Sequence, residues 1–390
     1  MALAGCSTVP SPSPEAVIVP EQQVVIAEPA PIAPAPATVA VPVPAPPPVI
    51  APVPAPVPTI TLAAPTNRIT ETWISLERWS QLNGLAQPRR LTWDAFPSYS
   101  LAASNGVMSI RVGSQLAYWN GLEYRLGFAP QLVNGHPYIH SLDMRKNVEP
   151  LFSNAAFYWK TNRVIVIDPG HGGMDTGTKS VHDGRFEKDY TLDWAYRLRY
   201  MLATNGWTVF LTRSNDVNLA LSNRVAIAEH YKADLFLSLH FNSSLPDRSQ
   251  SGLETYCLTP TGMPSNLTRG FTDNAALTFP NNSFDRENLL YAVRLHRALL
   301  KVNGHADRGV RRARFLGVLQ NQNRPALLVE GGYLSNAQEA KSIADPAYRQ
   351  KLAEAIAQAL FEEPEVKMNL VSQTASQSAP STNQAVGKIN

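Results

Sequence analysis

The chain has 390 residues, 44% of them apolar and 17% charged, which excludes wholesale disorder and leaves room for two folded units plus linkers. Its net charge is +3; the first 65 residues carry three acids (Glu15, Glu21 and Glu28) and no base, so the remainder carries +6 over some 325 residues, far short of the basic stripe that duplex nucleic acid requires. Two cysteines, Cys6 and Cys257, cannot make a disulfide framework, and no run of 18 apolar residues is present to form a membrane-spanning helix.

Residues 1–65 read as a leader and a spacer. Leu3-Ala4-Gly5-Cys6 resembles the lipobox of bacterial lipoproteins, whose cysteine is lipidated once the signal peptide is removed. Only five residues precede Cys6, so the resemblance covers the box and not the charged and apolar regions of a signal peptide. It implies a lipid anchor at Cys6 on the outer membrane and a periplasmic enzyme; the alternative is a free N-terminal cysteine in a soluble protein. Of the 32 prolines, 18 fall in this stretch, alternating with Ala and Val as in Val41-Pro42-Val43-Pro44-Ala45-Pro46-Pro47-Pro48. Proline fixes φ and removes a donor, so residues 8–65 predict an extended polyproline II spacer rising about 3.1 Å per residue. Such a spacer suits an enzyme that is held on a membrane and works at a distance. A solvated linker without a set span fits the same composition.

Residues 66–155 predict a small α+β module. Trp73-Ile74-Ser75-Leu76-Glu77-Arg78-Trp79 reads as a short helix opening. Asn120-Gly121 and Asn134-Gly135 each lie between alternating runs and predict type I′ hairpins, which need positive φ at both central residues. The module faintly resembles the stalk modules, similar to the copper amine oxidase N-terminal domain, that precede some wall enzymes, and it either binds wall or spaces the enzyme. His136 and His140 beside these turns read as surface residues before metal ligands.

From about 162 to 362 short apolar runs alternate with helical patterns. Strands are predicted at Val164–Ile167, Trp207–Leu211, Leu235–Leu239, Leu253–Leu258 and Ala326–Val329. Helices are predicted at Thr191–Thr204, with Leu192, Ala195, Leu198 and Leu202 on one face, and at Ser222–Tyr231, Asn288–Val302 and Tyr348–Phe361. This alternation argues an α/β fold with a largely parallel sheet flanked by helices. Residues 363–390, rich in Ser, Gln, Thr and Ala, predict a disordered tail.

Four polar groups stand out by position in this domain. His171 follows the first strand in Asp168-Pro169-Gly170-His171-Gly172-Gly173, His240 ends a strand, Glu330 ends another, and Glu187 sits just before the first helix. In open α/β sheets the ligand cleft lies beyond the carboxyl ends of the strands, so these segments deliver ligand-type side chains to one edge. Two imidazoles and one carboxylate with water in the fourth position make a catalytic zinc site, and Glu330 is placed to take the water proton and pass it to a leaving amine. Taken singly, each group has a plainer reading, since a strand-end His is often structural and a strand-end Glu often caps a helix. Their convergence favours a site.

The stretch 163–361 resembles the zinc-dependent N-acetylmuramoyl-L-alanine amidases of bacterial cell-wall turnover. Five blocks in order carry the likeness: Val166 to Gly173, Glu187-Lys188-Asp189, Ser238-Leu239-His240-Phe241-Asn242-Ser243, Gly252-Leu253-Glu254-Thr255-Tyr256, and Val329-Glu330-Gly331-Gly332-Tyr333-Leu334-Ser335-Asn336. The resemblance implies that His171, Glu187 and His240 bind one zinc ion and that Glu330 is the catalytic carboxylate. It also implies hydrolysis of the amide between the lactyl group of N-acetylmuramic acid and L-alanine of the stem peptide, with peptidoglycan as the partner.

The sequence departs from that pattern in places. Phe241 replaces a usually small residue and is expected to narrow the cleft, and Gly332 replaces a larger apolar one. Residues 260–287 form a polar insert, read first as a substrate-side loop and second as a plug that an activator protein would displace. Glu287 is its acid best placed to imitate a plug ligand, with Asp273 and Asp285 as turn or cap residues. His182, His230 and His296 read as surface or packing groups and Cys257 as a small core residue. Two other functions compete: a zinc peptidase cutting within the stem, and a catalytically silent wall-binding or regulatory protein, against which the presence of all four groups argues.

Overall fold

The computed structural model describes residues 72–153, 163–302, 304 and 306–361. The Cys6 box, the proline-rich spacer and the 363–390 tail lie outside them. The first module opens with β1 (Trp73–Ser75), a helix at Leu76–Leu82 and β2 (Arg89–Arg90), followed by two hairpins, β3 (Ser98–Ala103) with β4 (Gly106–Arg111) and β5 (Leu116–Trp119) with β6 (Leu122–Arg125). A third hairpin joins β7 (Gln131–Val133) to β8 (His136–His140). Both Asn-Gly turns have positive φ at both residues, 50° and 80° at Asn120-Gly121 and 51° and 83° at Asn134-Gly135, as the type I′ geometry demands. The helix expected to open at Trp73 begins three residues later. Trp73–Ser75 instead pairs with β8 as a strand, and the Ser75 hydroxyl caps the helix by accepting from Arg78 N at 3.3 Å.

The second half contributes β9 (Val164–Pro169), β10 (Thr208–Leu211), β11 (Leu235–Asn242), β12 (Leu253–Cys257), β13 (Asp307–Arg312) and β14 (Ala326–Tyr333). They lie in the order β10-β9-β11-β14-β12-β13, parallel throughout except where β12 runs antiparallel to β14. Their side chains alternate between two cores, as period-two geometry requires. Ile165, Ile167, Leu235, Leu237, Leu239, Leu327 and Val329 face Trp194, Leu198, Leu289, Leu352 and Ile356 on helices Glu187–Ala203, Asp285–Leu300 and Pro346–Phe361. Val166, Phe236 and Leu328 face Ala228, Val318 and Leu319 on the other side. The expected helix-flanked, largely parallel sheet is the fold.

The sheet does not stop at the second half. β13 pairs in parallel with β6 through Val310 and Tyr124, so the hairpins of the first module extend it to eleven strands. Asp307 fixes the junction by accepting from Glu123 N at 2.8 Å and from His296 Nε2 at 3.0 Å. Trp119, Leu122 and Tyr124 also pack in the same core cluster as Leu253, Leu289 and Leu295.

Candidate metal centre

Because β9, β11 and β14 are parallel neighbours, their carboxyl ends open on one edge, and that is where the four residues meet. His171 lies just past β9 with φ of 63°, an uncommon left-handed conformation for a residue with a β-carbon. The backbone there is held from behind. Arg213 donates to the carbonyls of Pro169 at 3.0 Å and Gly170 at 2.9 Å, and Arg224 donates to those of Pro169 at 3.0 Å and His171 at 2.9 Å. Arg224 also pairs with Asp168 at 2.6 Å, where Thr212 and Ser238 add hydrogen bonds of 2.6 and 2.7 Å. This buried network holds the Asp168 carboxyl below its usual range: burial opposes ionisation, and Arg224 with the two hydroxyls more than offsets it.

Glu187 is the first residue of helix Glu187–Ala203, not the residue before it. Its Oε1 lies 3.1 Å from His171 Nε2 and 2.9 Å from His240 Nδ1, and the three ligand atoms all fall within 4.8 Å of one another. For bonds of about 2.1 Å the edges of a zinc tetrahedron are about 3.4 Å, so the set fits such an ion. Two further features support the fit. Asp175 Oδ1 holds His171 Nδ1 at 2.7 Å, the carboxylate partner that a metal-ligating imidazole ordinarily has on its other nitrogen. The glycines leave the space: a β-carbon on Gly170 would enter the His240 ring, and one on Gly177 would sit 2.6 Å from Glu187 Oε2. Burial alone would lower the His171 pKa, yet its bonds to Glu187 and Asp175 carry it up to about 9. Hydrogen bonds and charge from His171 and His240 hold the Glu187 carboxyl far down against its burial.

Glu330 stands across from His240 in the β11–β14 register and from Glu254 in the β12–β14 register. It is 6% exposed, and its Oε2 is buried with no hydrogen-bond partner among the described residues. Burial and then the Glu187 carboxylate push its pKa up to about 8, while Arg269 and His171 pull the other way. A buried carboxylate with an unpaired oxygen beside a metal-ligand cluster is equipped to carry a proton.

The remaining expectations sort cleanly. Phe241 does not narrow the cleft: it is buried against Trp194 at 5.3 Å, and only its N–H turns toward the site, donating to Glu187 at 3.1 Å. Strand alternation explains this, since neighbours of an inward His240 point to the other face. Glu287 lies outside the ligand cluster, in the first turn of helix Asp285–Leu300 beside Arg286. Asp273 and Asp285 are more than turn residues, being paired with Arg314 and with Lys146. Gly332 has φ of 126°, which accounts for glycine there. His136 pairs with Glu77 at 2.7 Å and His140 stacks on Phe128, so neither joins the site. His296 is fully buried and hydrogen-bonded to Thr255 and Asp307, and Cys257 is a core residue.

The geometry defines an α/β protein with a His-Glu-His cluster at the strand ends of its sheet. Residues 165–362 match the family profile described as N-acetylmuramoyl-L-alanine amidase, and the chain belongs to that family. It is 30% identical over 220 residues to N-acetylmuramoyl-L-alanine amidase AmiA of Escherichia coli, covering 51% of this chain and 75% of that protein. Identity to N-acetylmuramoyl-L-alanine amidase CwlM of Bacillus licheniformis is 33% over 191 residues, covering 48% of this chain and 64% of that one. The solved catalytic domain of CwlV from Bacillus (Paenibacillus) polymyxa var. colistinus aligns at 31% identity and a TM-score of 0.42, covering 51% of this chain and 96% of that domain.

Proposed function

We propose that this chain hydrolyses the amide between the lactyl group of N-acetylmuramic acid and the L-alanine of the peptidoglycan stem, using one zinc ion held by His171, Glu187 and His240. When bound, the metal supplies a Lewis acid that lowers the pKa of water and polarises the scissile carbonyl. The carrying observation is the convergence of these three ligand atoms beside Glu330, whose Oε2 is buried and has no hydrogen-bond partner among the described residues. Glu330 takes a proton from the attacking water as its oxygen bonds to the carbonyl carbon. It then returns that proton to the alanine nitrogen as the C–N bond breaks, leaving a lactyl acid and a free amine. Asp175 keeps the His171 ring oriented, and the Phe241 N–H keeps the Glu187 carboxylate in place.

The same reading puts the enzyme on the periplasmic side of a bacterial envelope, anchored through lipid on Cys6, with the proline-rich spacer giving it reach. The lipobox-like sequence at Cys6 supports this part. Incubation of the full chain with isolated sacculi, followed by mass spectrometry of what is released, tests the reaction. Free stem peptides beginning with an unmodified L-alanine amine are the expected product. Fragments cut inside the stem would move the assignment to a peptidase.

A further inference from the structure

The insert at 260–287 brings a cation, Arg269, to the catalytic edge. Thr268-Arg269-Gly270-Phe271 is a tight turn closed by Phe271 N donating to the Thr268 carbonyl at 2.9 Å. Its two central residues, Arg269 and Gly270, have φ of 47° and 82°, the type I′ pattern in which a glycine is comfortable and an arginine is not. The turn is firmly mounted. Phe271 stacks on Phe315 at 5.6 Å, Asp273 pairs with Arg314 and accepts from Ser265 N at 2.7 Å, and Asn266 Nδ2 donates to the Leu126 carbonyl at 3.0 Å.

From this mount the guanidinium reaches Asn242 Oδ1 at 3.3 Å, next to the Tyr256 hydroxyl and over the Phe315 ring at 5.8 Å. Its direct contacts are with neutral groups and leave donors of the five-donor fork unspent among the described residues, while the Glu330 and Glu254 carboxylates act on it at longer range. Asn242 is itself fixed, donating to buried Glu254 at 2.9 Å. It lies two residues beyond His240 on β11, across a shift in the β11–β14 register, so the guanidinium is held at the same strand end as the metal ligand. A backbone conformation unfavourable to arginine, on a rigid mount, aiming a cation with free donors into the cleft, is a device for an anion.

We propose that Arg269 is a specificity-determining residue that binds a free carboxylate on the stem-peptide residue following L-alanine. The inference rests on the amidase reading and adds which feature of the peptide the site selects. Bidentate guanidinium–carboxylate pairing suits that role, and a carboxamide in the same place lacks the charge.

The test compares the full zinc-loaded chain with R269N and R269K on two disaccharide–peptide substrates, one with a free carboxylate on the second stem residue and one with that group as a carboxamide. R269N keeps the turn, since Asn-Gly is the favoured type I′ pair, while removing the cation. Wild type should have a KM about tenfold or more lower for the acid than for the amide, the size of one charge-assisted hydrogen bond. R269N should raise KM for the acid by about that factor while leaving KM for the amide within about twofold, and R269K should keep part of the preference. Equal treatment of acid and amide by wild type, or an equal loss by R269N on both, would overturn the assignment while leaving the amidase reading standing. Release of nothing from either substrate by wild type would remove the amidase reading and the inference with it.

Discussion

Glu330 and His240 are direct partners in the parallel register of β14 and β11, so backbone pairing alone sets a proton-carrying carboxylate beside a metal-ligand imidazole. Partners in adjacent strands point to the same face and lie about 4.8 Å apart. A one-residue slip of β14 would send Glu330 into the opposite core. The chemistry is therefore tied to the apolar residues Leu327 and Val329, whose burial fixes that register.

Glu187 is the ligand that touches both histidines, and E187Q keeps its shape while removing the charge. Zinc affinity should fall by at least about 100-fold, more than for loss of a residue that merely orients a ligand. Competition against a chelator of known affinity measures this, and far-ultraviolet circular dichroism should show the helix Glu187–Ala203 intact.

Gly170 tests the steric side of the site. Its φ is ordinary, so G170A carries no backbone strain, yet the added methyl would occupy the His240 ring. We expect zinc affinity to drop by about tenfold or more because the ring must rotate out of its ligating position, with the melting temperature lowered by a few degrees. An unchanged affinity would mean that His240 is not held where it lies.

Asp168 and Arg224 form a buried pair that also grips the His171 carbonyl. R224M leaves Asp168 buried without its cation and should cost about 3–5 kcal/mol in denaturant unfolding. The Asp168 carboxyl has a lowered pKa when folded. Its contribution is thus fully present above the unfolded value of about 3.9 and is lost as pH falls through the lower folded value. A D168N variant, compared with wild type by unfolding between pH 7 and pH 2.5, should lack that acid-limb loss.

Asp307 ties the first module to the catalytic half through Glu123 N, His296 and its own turn at Gly309 N. D307A should destabilise the chain by about 2 kcal/mol, the cost of leaving donors unpaired at a largely covered junction. Hydrogen exchange should report it locally, with faster exchange at Glu123 and its β6 neighbours and little change at β11.

Much of this was legible in the sequence, and the reasons are specific. Val164–Ile167 and Ala326–Val329 are uninterrupted apolar runs, so their burial on both faces could be read directly, and the two Asn-Gly pairs announced their turns. His171, Glu187, His240 and Glu330 were legible because each lies at the edge of an apolar run or a helix start, and parallel strands place such positions together. The strands of His240 and Glu330 in fact continue to Asn242 and Tyr333, past the end expected from the sequence. Strand Asp307–Arg312 was not legible: with three arginines in six residues it has no apolar signature, and its charges are satisfied by Glu254 and by backbone carbonyls only in the fold. Helix Ala337–Ala344 was hidden for a similar reason, since its buried Glu339 accepts from Gly252 N and Tyr333 N. Arg269 escaped because nothing in Thr268-Arg269-Gly270 tells which way a turn on a polar insert faces. Its one local signal was the glycine that follows it.

The most direct test of the account measures metal content and turnover on the same preparation of E330Q. One zinc ion per chain, as in wild type, with peptide release from sacculi slowed by about 100-fold or more, is the result expected if Glu330 moves the proton and His171, Glu187 and His240 hold the metal. Turnover near the wild-type rate would contradict the role given to Glu330. Loss of the zinc would instead make Glu330 a ligand and break the division of labour between the three clustered residues and the fourth.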